Sequence, residues 1–347
     1  MKLYNKYSAK ENTELIKRAG NKRLTLSFYK YSVIKNPKLF RDYLFLNWQP
    51  LNILGRIYVS FEGINAQLSV PLNNFEGFKS LINEISFLKK IRLNIAIEDD
   101  VFSFLKLKIK VRSKIVSDGL NENLFDFTNP SEHLDAKRFN EMLDNKDTIC
   151  IDMRNHYESE IGHFKNAILP NVDTFKESLP FVDKKYSNYK EDKNIVLYCT
   201  GGIRCEKASA FLKNKGYKNV YQLDGGIIEY TNQVKKKGFE NKFIGKNFVF
   251  DQRKAERVSE HVISKCHQCG KQSDTHVNCL NEACHLLFIQ CERCAKKMNN
   301  CCSKECIEII SLSDLKRKEH RKGKRNSNKI FKKGRSPVLK FKQESFY

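Results

Sequence analysis

The chain has 347 residues, 40% of them hydrophobic, and its 63 Lys and Arg residues against 40 Asp and Glu give a formal net charge of +23. This length accommodates two or three ordinary domains with real hydrophobic cores. No run of about 18 apolar residues occurs, and the first residues lack the apolar stretch of a secretion signal. We therefore expect a cytoplasmic protein with no membrane contact.

The positive charge attracts polyanions, and the phosphate backbone of RNA is the obvious candidate at moderate salt. The alternative is compositional. Lys, Asn and Ile are abundant throughout the chain, and a biased genome would raise the basic charge without selecting a partner. Charge alone leaves both interpretations open.

The N-terminal third predicts an α+β domain. The first 20 residues are polar and irregular, so we expect a flexible arm. Residues 21–112 then show the order β-α-β-β-α-β, which is the split βαβ arrangement of ferredoxin-like domains. The predicted elements are strands 24–29, 55–59, 64–70 and 91–97 and helices 37–47 and 72–86, with an added strand within 104–111. Residues 113–130 form a predicted linker with breakers at Asp118-Gly119 and Asn129-Pro130.

Residues 131–237 predict a parallel-sheet α/β domain. Its strands are short apolar runs at 148–152, 167–169, 195–198 and 220–223, separated by helix-like segments. Such a sheet carries its chemistry beyond the carboxyl ends of its strands. Cys199 follows one strand, and Asp152 and Asp224 end two others.

Cys199 begins a glycine-containing turn that leads into a helix-like stretch. The turn is Cys199-Thr200-Gly201-Gly202-Ile203-Arg204. Backbone N–H groups and the positive end of a helix converge at such a position and favour a thiolate, and Arg204 adds a fixed cation. The loop is one residue shorter than that of cysteine phosphatases, so it suits a terminal sulfur better than phosphate. We therefore predict that Cys199 is catalytic and can carry a persulfide, with residues 200–204 as its anion cradle.

Three further residues are candidates for supporting roles. Asp152 and Arg154 lie near a strand end, where ion-paired scaffolding is favoured over catalysis. Cys205 has two interpretations, a resolving thiol for Cys199 or a small packing residue of the helix, and packing is favoured.

Nine of the twelve cysteines lie between Cys266 and Cys306, within a C-terminal segment that we bound at 238–310. Twelve cysteines in a cytoplasmic protein indicate reactive thiols or metal ligands rather than disulfides. Two CxxC pairs predict a structural zinc site, with reduced thiols or a redox-active cluster as alternatives. The favoured ligands are Cys266, Cys269, Cys291 and Cys294. Other ligand sets stay open, drawn from Cys279, Cys284, Cys301, Cys302, Cys306, His267, His276 and His285. Residues 311–347 are dense in Lys and Arg and predict a disordered tail that is either solvated or attracts RNA.

Several landmarks in the central domain together resemble a rhodanese domain. They are 152–155, Glu158, Gly162-His163, Asn166-Ala167, the Cys199 turn and 223–227. With segments 55–67 and 243–251 and the cysteine-rich part, the chain is similar to the bacterial tRNA uridine(34) hydroxylase family from about residue 24 to residue 306. In that family a rhodanese domain lies between an N-terminal α+β domain and a cysteine-rich C-terminal part.

The resemblance implies an oxidoreductase that hydroxylates the wobble uridine of tRNA at carbon 5, with molecular oxygen as co-substrate and a separate electron donor. It also implies that Cys199 is the catalytic cysteine and that the basic surface and the N-terminal domain position the anticodon arm. The residues themselves show neither a dinucleotide-binding fingerprint nor an iron-binding facial triad. Two alternatives therefore stay open: a rhodanese-type sulfurtransferase that uses the same Cys199, and a noncatalytic RNA-binding protein.

Overall fold

The computed structural model describes residues 3, 5–120, 131–323 and 335–341. Its elements form an N-terminal α+β domain, a central domain with a parallel sheet and a cysteine-rich C-terminal part, which confirms the predicted fold class. Within these described residues, every helix is too short or too polar to cross a membrane.

The chain begins with a helix where we predicted an irregular arm. Helix α1 (Ala9–Ala19) starts at a capping box between Ser8 and Glu11 and ends at Gly20 in a left-handed conformation. The helix buries none of its residues, and its only large apolar residues, Leu15 and Ile16, are too few to predict a helix from apolar spacing. The prediction for residues 1–20 was therefore wrong over residues 9–19.

The N-terminal domain has the predicted ferredoxin-like topology with one added edge strand. Its sheet order is β4-β1-β3-β2-β5, in which β5 runs parallel to β2 and the other neighbours are antiparallel. Buried apolar side chains such as Trp48, Ile57 and Phe78 form its core. The elements are β1 (Arg23–Tyr31), α2 (Pro37–Trp48), β2 (Leu54–Ser60), β3 (Gly63–Pro71), α3 (Phe75–Glu84), β4 (Asn94–Ile95) and β5 (Leu107–Val111).

The central domain is a four-stranded parallel sheet of order β6-β10-β9-β7. The predicted strand at 167–169 is reduced to a single bridge between Ile168 and Ile151, and a short polar strand at the sheet edge was missed. The elements are β6 (Glu132–Leu134), α4 (Ala136–Asp144), β7 (Thr148–Asp152), α5 (His156–Ser159), β8 (Gly162–Phe164), α6 (Phe175–Tyr186), β9 (Asn194–Tyr198), α7 (Ile203–Asn214), β10 (Val220–Leu223) and α8 (Gly226–Lys237).

A buried ion cluster joins the two domains. Lys207 on α7 contacts the carboxylates of Glu62, at 2.7 Å, and Asp118. Glu62 lies between β2 and β3, and Asp118 lies in the predicted linker, where Lys114 also contacts it at 2.6 Å. The first part of the linker is therefore anchored, while 121–130, including Asn129-Pro130, lies outside the described residues.

The C-terminal part extends a second sheet from the central domain. Strands β11 (Phe243–Phe248) and β12 (Ala255–Arg257) join β8 in the antiparallel order β12-β11-β8. The remaining elements are β13 (His276–Asn278), β14 (Leu287–Ile289), α9 (Glu292–Lys297), α10 (Lys304–Ile310) and α11 (Asp314–Arg321).

The described parts of the tail, residues 311–323 and 335–341, differ from the disordered segment that we predicted for 311–347, and residues 324–334 and 342–347 lie outside the described residues. Residues 314–321 form α11, which Ser313 caps, and Leu339 is 2% exposed among buried cysteines. The N–H of Phe341 also donates to the carbonyl of His267 at 3.0 Å. A basic composition predicts solvation on average, but a single apolar residue can still pack where an apolar surface is offered.

Candidate active site

The Cys199 turn lies at the carboxyl end of the central sheet, between β9 and α7. Gly202 has φ +102 and donates its N–H to the Cys199 sulfur at 3.1 Å. The left-handed backbone conformation favours glycine here, and a Cβ would lie 2.7 Å from the hydroxyl of Tyr29, which would have to move. The turn thus curls a backbone N–H onto the sulfur.

The start of α8 supports this turn from behind. Ile227 donates its N–H to the carbonyl of Cys199 at 3.0 Å, and Ile228 donates to that of Thr200 at 3.2 Å. A Cβ at Gly226 would lie 2.5 Å from the same Cys199 carbonyl oxygen. Gly226 therefore lets this helix end approach the loop that carries the cysteine.

The environment of Cys199 favours its thiolate. Burial raises the pKa of this thiol, but the opposing contacts outweigh burial and lower the pKa to about 6. These contacts are a hydrogen bond from the Cys205 thiol, the charge of Arg204 and the N–H groups of Arg204 and Gly202. At neutral pH the sulfur is therefore mostly ionised.

Arg204 acts on Cys199 through its charge and its backbone N–H, while its guanidinium is held elsewhere. The guanidinium donates to both carboxylate oxygens of Glu158, each at 2.8 Å, and more weakly to the Thr200 hydroxyl at 3.5 Å. Glu158 is 0% exposed and lies in α5. Glu158 was noted in the sequence only as a landmark of the rhodanese resemblance. Its ion pair with Arg204 could not be predicted, because the two residues are 46 positions apart.

Asp152 and Arg154 form a buried pair with each other. Arg154 donates to Asp152 at 2.7 Å and to the carbonyl of Gly162 at 2.6 Å, and both side chains are 0% exposed. Neither residue contacts the Cys199 sulfur among the described hydrogen bonds, whereas Cys205 does. Burial and its contact with Cys199 raise the pKa of the Cys205 thiol, so Cys205 remains a neutral donor.

A cavity of about 570 Å³ opens above Cys199, between the N-terminal and central domains. Its size falls within the range of about 300–1,000 Å³ that is typical of small-molecule sites. Cys199 is 0% exposed to solvent and lies at the floor. The walls combine aromatic, amide and charged side chains, including Tyr29, Arg56, Tyr58, Asn65, Gln67, Tyr157, Asp173, Lys176 and Phe250.

The N-terminal domain contributes one wall of the site, and none of the residues of this wall was predicted individually from the sequence. The hydroxyl of Tyr29 donates to Glu206 at 2.9 Å, and His133 contacts the same carboxylate at 3.0 Å. Asn94 donates its side-chain amide to the carbonyl of Gly201 at 3.3 Å. Tyr29 and Asn94 lie far from Cys199 in sequence, and only the packing of two domains brings them to the loop.

The predicted zinc ligands also come together, and none of them lines this cavity. The sulfurs of Cys266, Cys269, Cys291 and Cys294 lie within 4.8 Å of one another, and we call this group the first tetrad. All twelve cysteines are free thiols, and the Cys269 and Cys291 sulfurs are 3.6 Å apart. Four converging thiols have the ligand set of a metal site.

Three family profiles match successive parts of the chain. The UPF0176 acylphosphatase-like domain matches residues 23–115, the rhodanese-like domain matches 135–233, and the rhodanase C-terminal family matches 244–307. These matches follow the three parts of the structure.

Curated relatives align with nearly the whole chain. A tRNA uridine(34) hydroxylase of Leptospira interrogans is 50% identical over 333 residues, covering 96% of this chain and 90% of the relative. A tRNA uridine(34) hydroxylase of Photorhabdus laumondii is 50% identical over 334 residues, covering 96% and 95%. A crystal structure of a rhodanese-related protein from Thermoplasma volcanium covers 31% of this chain and 95% of its own, with 22% identity and a TM-score of 0.25.

Proposed function

The chain belongs to the tRNA uridine(34) hydroxylase family, and we propose that Cys199 is the residue at which it hydroxylates uridine 34 of tRNA. The enzyme is an oxidoreductase of tRNA modification. The observation that carries our assignment of the site is the Cys199 thiolate, with its pKa lowered to about 6, at the floor of a cavity of about 570 Å³.

The cavity favours a base that leaves its stack. Uridine 34 reaches a buried sulfur only when it is splayed out of the anticodon loop, as in other enzymes that act on bases. Tyr58 and Phe250 offer aromatic faces to such a base, and Asn65 and Gln67 offer amide donors and acceptors. Arg56 and Lys176 add positive charge for the flanking phosphates.

A persulfide on Cys199 would extend the reactive atom into this cavity. The side chain is fully buried, and a second sulfur would add about 2 Å at the length of a sulfur–sulfur bond. The N–H of Gly202 and the charge of Arg204 stabilise a negative sulfur in this loop. Residues 200–204 are therefore the proposed persulfide cradle, with Cys205 as the neutral donor and Asp152 and Arg154 as buried supports.

The chemistry needs an oxidant and a reductant besides tRNA. Addition of the sulfur to carbon 6 of uracil would place negative charge on carbon 5, the position that gains the hydroxyl group. We propose that molecular oxygen supplies this oxygen atom. The second oxygen atom is then reduced to water by two electrons and two protons from a separate donor, and the sulfur leaves carbon 6 as the proton on carbon 5 is lost.

The basic surface is the proposed binding face for the anticodon arm. A net charge of +23 predicts affinity that falls steeply with salt. Helix α11 adds Lys316, Arg317 and Lys318 at the surface. Replacing these three by Gln should weaken tRNA binding and flatten its salt slope by up to about 2–3, whereas an unchanged slope would remove α11 from the interface. Because its substrate is tRNA, we place the enzyme in the cytoplasm.

The first tetrad is a proposed structural zinc site. Soft thiolates in a set of four are typical ligands of zinc, and the group lies in its own small buried cluster. It stands apart from the residues that line the cavity, so we assign the metal to folding of the C-terminal part. Loss of one zinc per chain in Cys269→Ser would support this assignment, and an unchanged zinc content would refute it.

The test of the proposed function is mass analysis of tRNA nucleosides. Cells that lack the gene are complemented with the wild type, with Cys199→Ala or with Cys150→Ala. Cys150 is a buried cysteine of β7 in the same sheet and controls for thiol loss as such. We expect the wild type and Cys150→Ala to restore 5-hydroxyuridine and its derivatives and Cys199→Ala to restore none.

Two other functions predict different results in the same experiment. A rhodanese-type sulfurtransferase predicts normal 5-hydroxyuridine without the gene, together with loss of sulfur transfer to thiols. A noncatalytic RNA-binding protein predicts full complementation by Cys199→Ala. Either result would refute the assignment of Cys199.

A further inference from the structure

The structure brings a second group of four cysteines together, separate from the first tetrad. These cysteines are all buried, and their sulfurs lie within 4.8 Å of one another. We call the group the second tetrad; it consists of Cys279, Cys284, Cys302 and Cys306. The spacings within its pairs, with four and three intervening residues, fall within those of known zinc ligands.

The distances between these sulfurs fit a shared metal. The Cys284 and Cys302 sulfurs are 3.6 Å apart, and those of Cys302 and Cys306 are 3.8 Å apart. Four sulfurs placed tetrahedrally at about 2.3 Å from a zinc ion are about 3.8 Å from one another. A disulfide would bring two sulfurs to about 2.05 Å. The observed separations therefore match the edges of a zinc–thiolate tetrahedron rather than sulfur–sulfur bonds.

Hydrogen-bond donors point at two of the sulfurs. The N–H of Cys302 donates to the Cys279 sulfur at 3.5 Å, and the side-chain amide of Asn281 donates to the Cys306 sulfur at 3.4 Å. Such donors stabilise the negative charge of metal-bound thiolates. Buried thiolates that lacked a cation would repel one another at great cost, so this arrangement requires either neutral thiols or a metal.

The apolar core around the second tetrad is too small to replace a metal. Apart from cysteines, its buried members are only Leu286, Phe288 and Leu339 among the residues that the structure describes. Small domains with so little buried apolar surface usually depend on a metal or on disulfides, and all cysteines here are free.

The two tetrads alternate along the chain. The first and third cysteine pairs form the first tetrad, and the second and fourth pairs form the second. Each metal ion would therefore hold the chain on both sides of a cysteine pair that binds the other metal ion. The hairpin β13–β14 carries the first cysteine pair of the second tetrad in its loop, with Cys279 after β13 and Cys284 before β14.

We propose that the second tetrad binds a zinc ion of its own, so that the chain holds two structural zinc ions in an interleaved arrangement. The ion is four-coordinate and closed, with no position left for substrate. This inference does not depend on the hydroxylase reaction, because it concerns a site that no part of the reaction uses.

The test measures metal content in the full chain, purified without chelator. Elemental analysis and native mass spectrometry should find two zinc ions per wild-type chain and one in Cys306→Ser. Cys301→Ser is the matched control, because Cys301 is a buried cysteine of the same cluster that belongs to neither tetrad. It should keep both ions.

A second measurement avoids any folding defect of a variant. Titration of the wild type with a mercurial thiol reagent, followed with a zinc indicator, should release two zinc ions per chain. One zinc ion or none in the wild type would overturn the proposal. Stoichiometric iron in place of the second zinc would also overturn it, as would loss of an ion from Cys301→Ser with retention in Cys306→Ser.

Discussion

Gly226→Ala tests whether the start of α8 positions the catalytic loop, and Gly238→Ala is its matched control. Both glycines flank or begin the same helix and have similar left-handed angles, φ +65 and φ +69. A Cβ at Gly238 meets nothing within 4 Å, whereas a Cβ at Gly226 meets the Cys199 carbonyl oxygen at 2.5 Å and the Gly201 nitrogen at 2.7 Å. The two substitutions therefore share backbone strain and differ in the clash.

The structure sets the size of each effect. A left-handed conformation costs a non-glycine residue about 1–2 kcal/mol, so Gly238→Ala should lose about that much free energy of unfolding. Overpacking adds about 1–3 kcal/mol where the neighbours must move, which brings Gly226→Ala to about 2–5 kcal/mol. The neighbours that move are the backbone of Cys199 and Gly201, so the N–H groups around the sulfur lose their alignment. We therefore expect the pKa of Cys199 to rise only in Gly226→Ala.

Two assays read these effects separately. Urea unfolding gives the loss of free energy, and the pH dependence of alkylation gives the pKa of Cys199. Trypsin cleavage after Lys193 and Arg204 isolates Cys199 in peptide 194–204, apart from the other eleven cysteines. Equal losses of stability in the two variants, or a wild-type thiol pKa and full hydroxylation in Gly226→Ala, would refute the reasoning.

Three further predictions follow from the site. Cys205→Ala removes a hydrogen-bond donor to the charged Cys199 sulfur, and such a hydrogen bond contributes about 1.5–3 kcal/mol. The pKa of Cys199 should therefore rise from about 6 to about 7–8 in the alkylation assay, whereas Cys205→Ser should keep this pKa low. An unchanged pKa in Cys205→Ala would contradict the role of Cys205. Glu158→Gln weakens the buried ion pair with Arg204 and should lower the free energy of unfolding in urea by about 3 kcal/mol. Glu14→Gln weakens an exposed ion pair with Lys17 and should change the free energy of unfolding by less than about 1 kcal/mol. Similar losses in the two variants would contradict the difference between buried and exposed pairs. The hydrogen bond with the Glu206 carboxylate raises the pKa of His133. The stabilisation of the folded protein by this contact is therefore complete below the unfolded pKa of about 6.5 and is lost as the pH rises through the folded pKa. The free energy of unfolding of His133→Gln should depend less on pH in this range, and identical pH profiles would contradict the contact.

The parts of the site that are contiguous in sequence could be predicted. Cys199 and Gly202 lie three residues apart, so a strand-to-helix turn is enough to bring an N–H onto the sulfur. Asp152 and Arg154 are also close enough to pair through local geometry alone. These residues are so close in sequence that the local sequence pattern alone predicts their contacts in the folded protein.

The wall formed by the N-terminal domain could not be predicted. Tyr29 reaches Glu206 across 177 residues of sequence, and Asn94 reaches the carbonyl of Gly201 across 107. Each of these residues is an ordinary strand, helix or loop residue in its own segment. Their contribution to the site depends on how two domains pack, which periodicity does not encode.

Elements without a strong apolar pattern were missed for a related reason. Helix α1 buries none of its residues, so only its cap at Ser8 marked it. Strand β6 carries Glu132 and His133, which read as loop residues, and it pairs at a sheet edge. The ligand set of the second tetrad could not be predicted, because its cysteine pairs alternate along the chain with those of the first tetrad. The spacing of the cysteines alone allowed several ligand sets.

The most direct test of the central claim is the pKa of Cys199 in the folded wild-type protein. Its alkylation rate should be followed in peptide 194–204 from about pH 4 to about pH 10, with urea-unfolded protein as the reference. We predict a half-maximal rate near pH 6 in the folded protein. A half-maximal rate at or above the ordinary thiol value of about 8.5 would contradict the proposal that this loop holds a reactive thiolate.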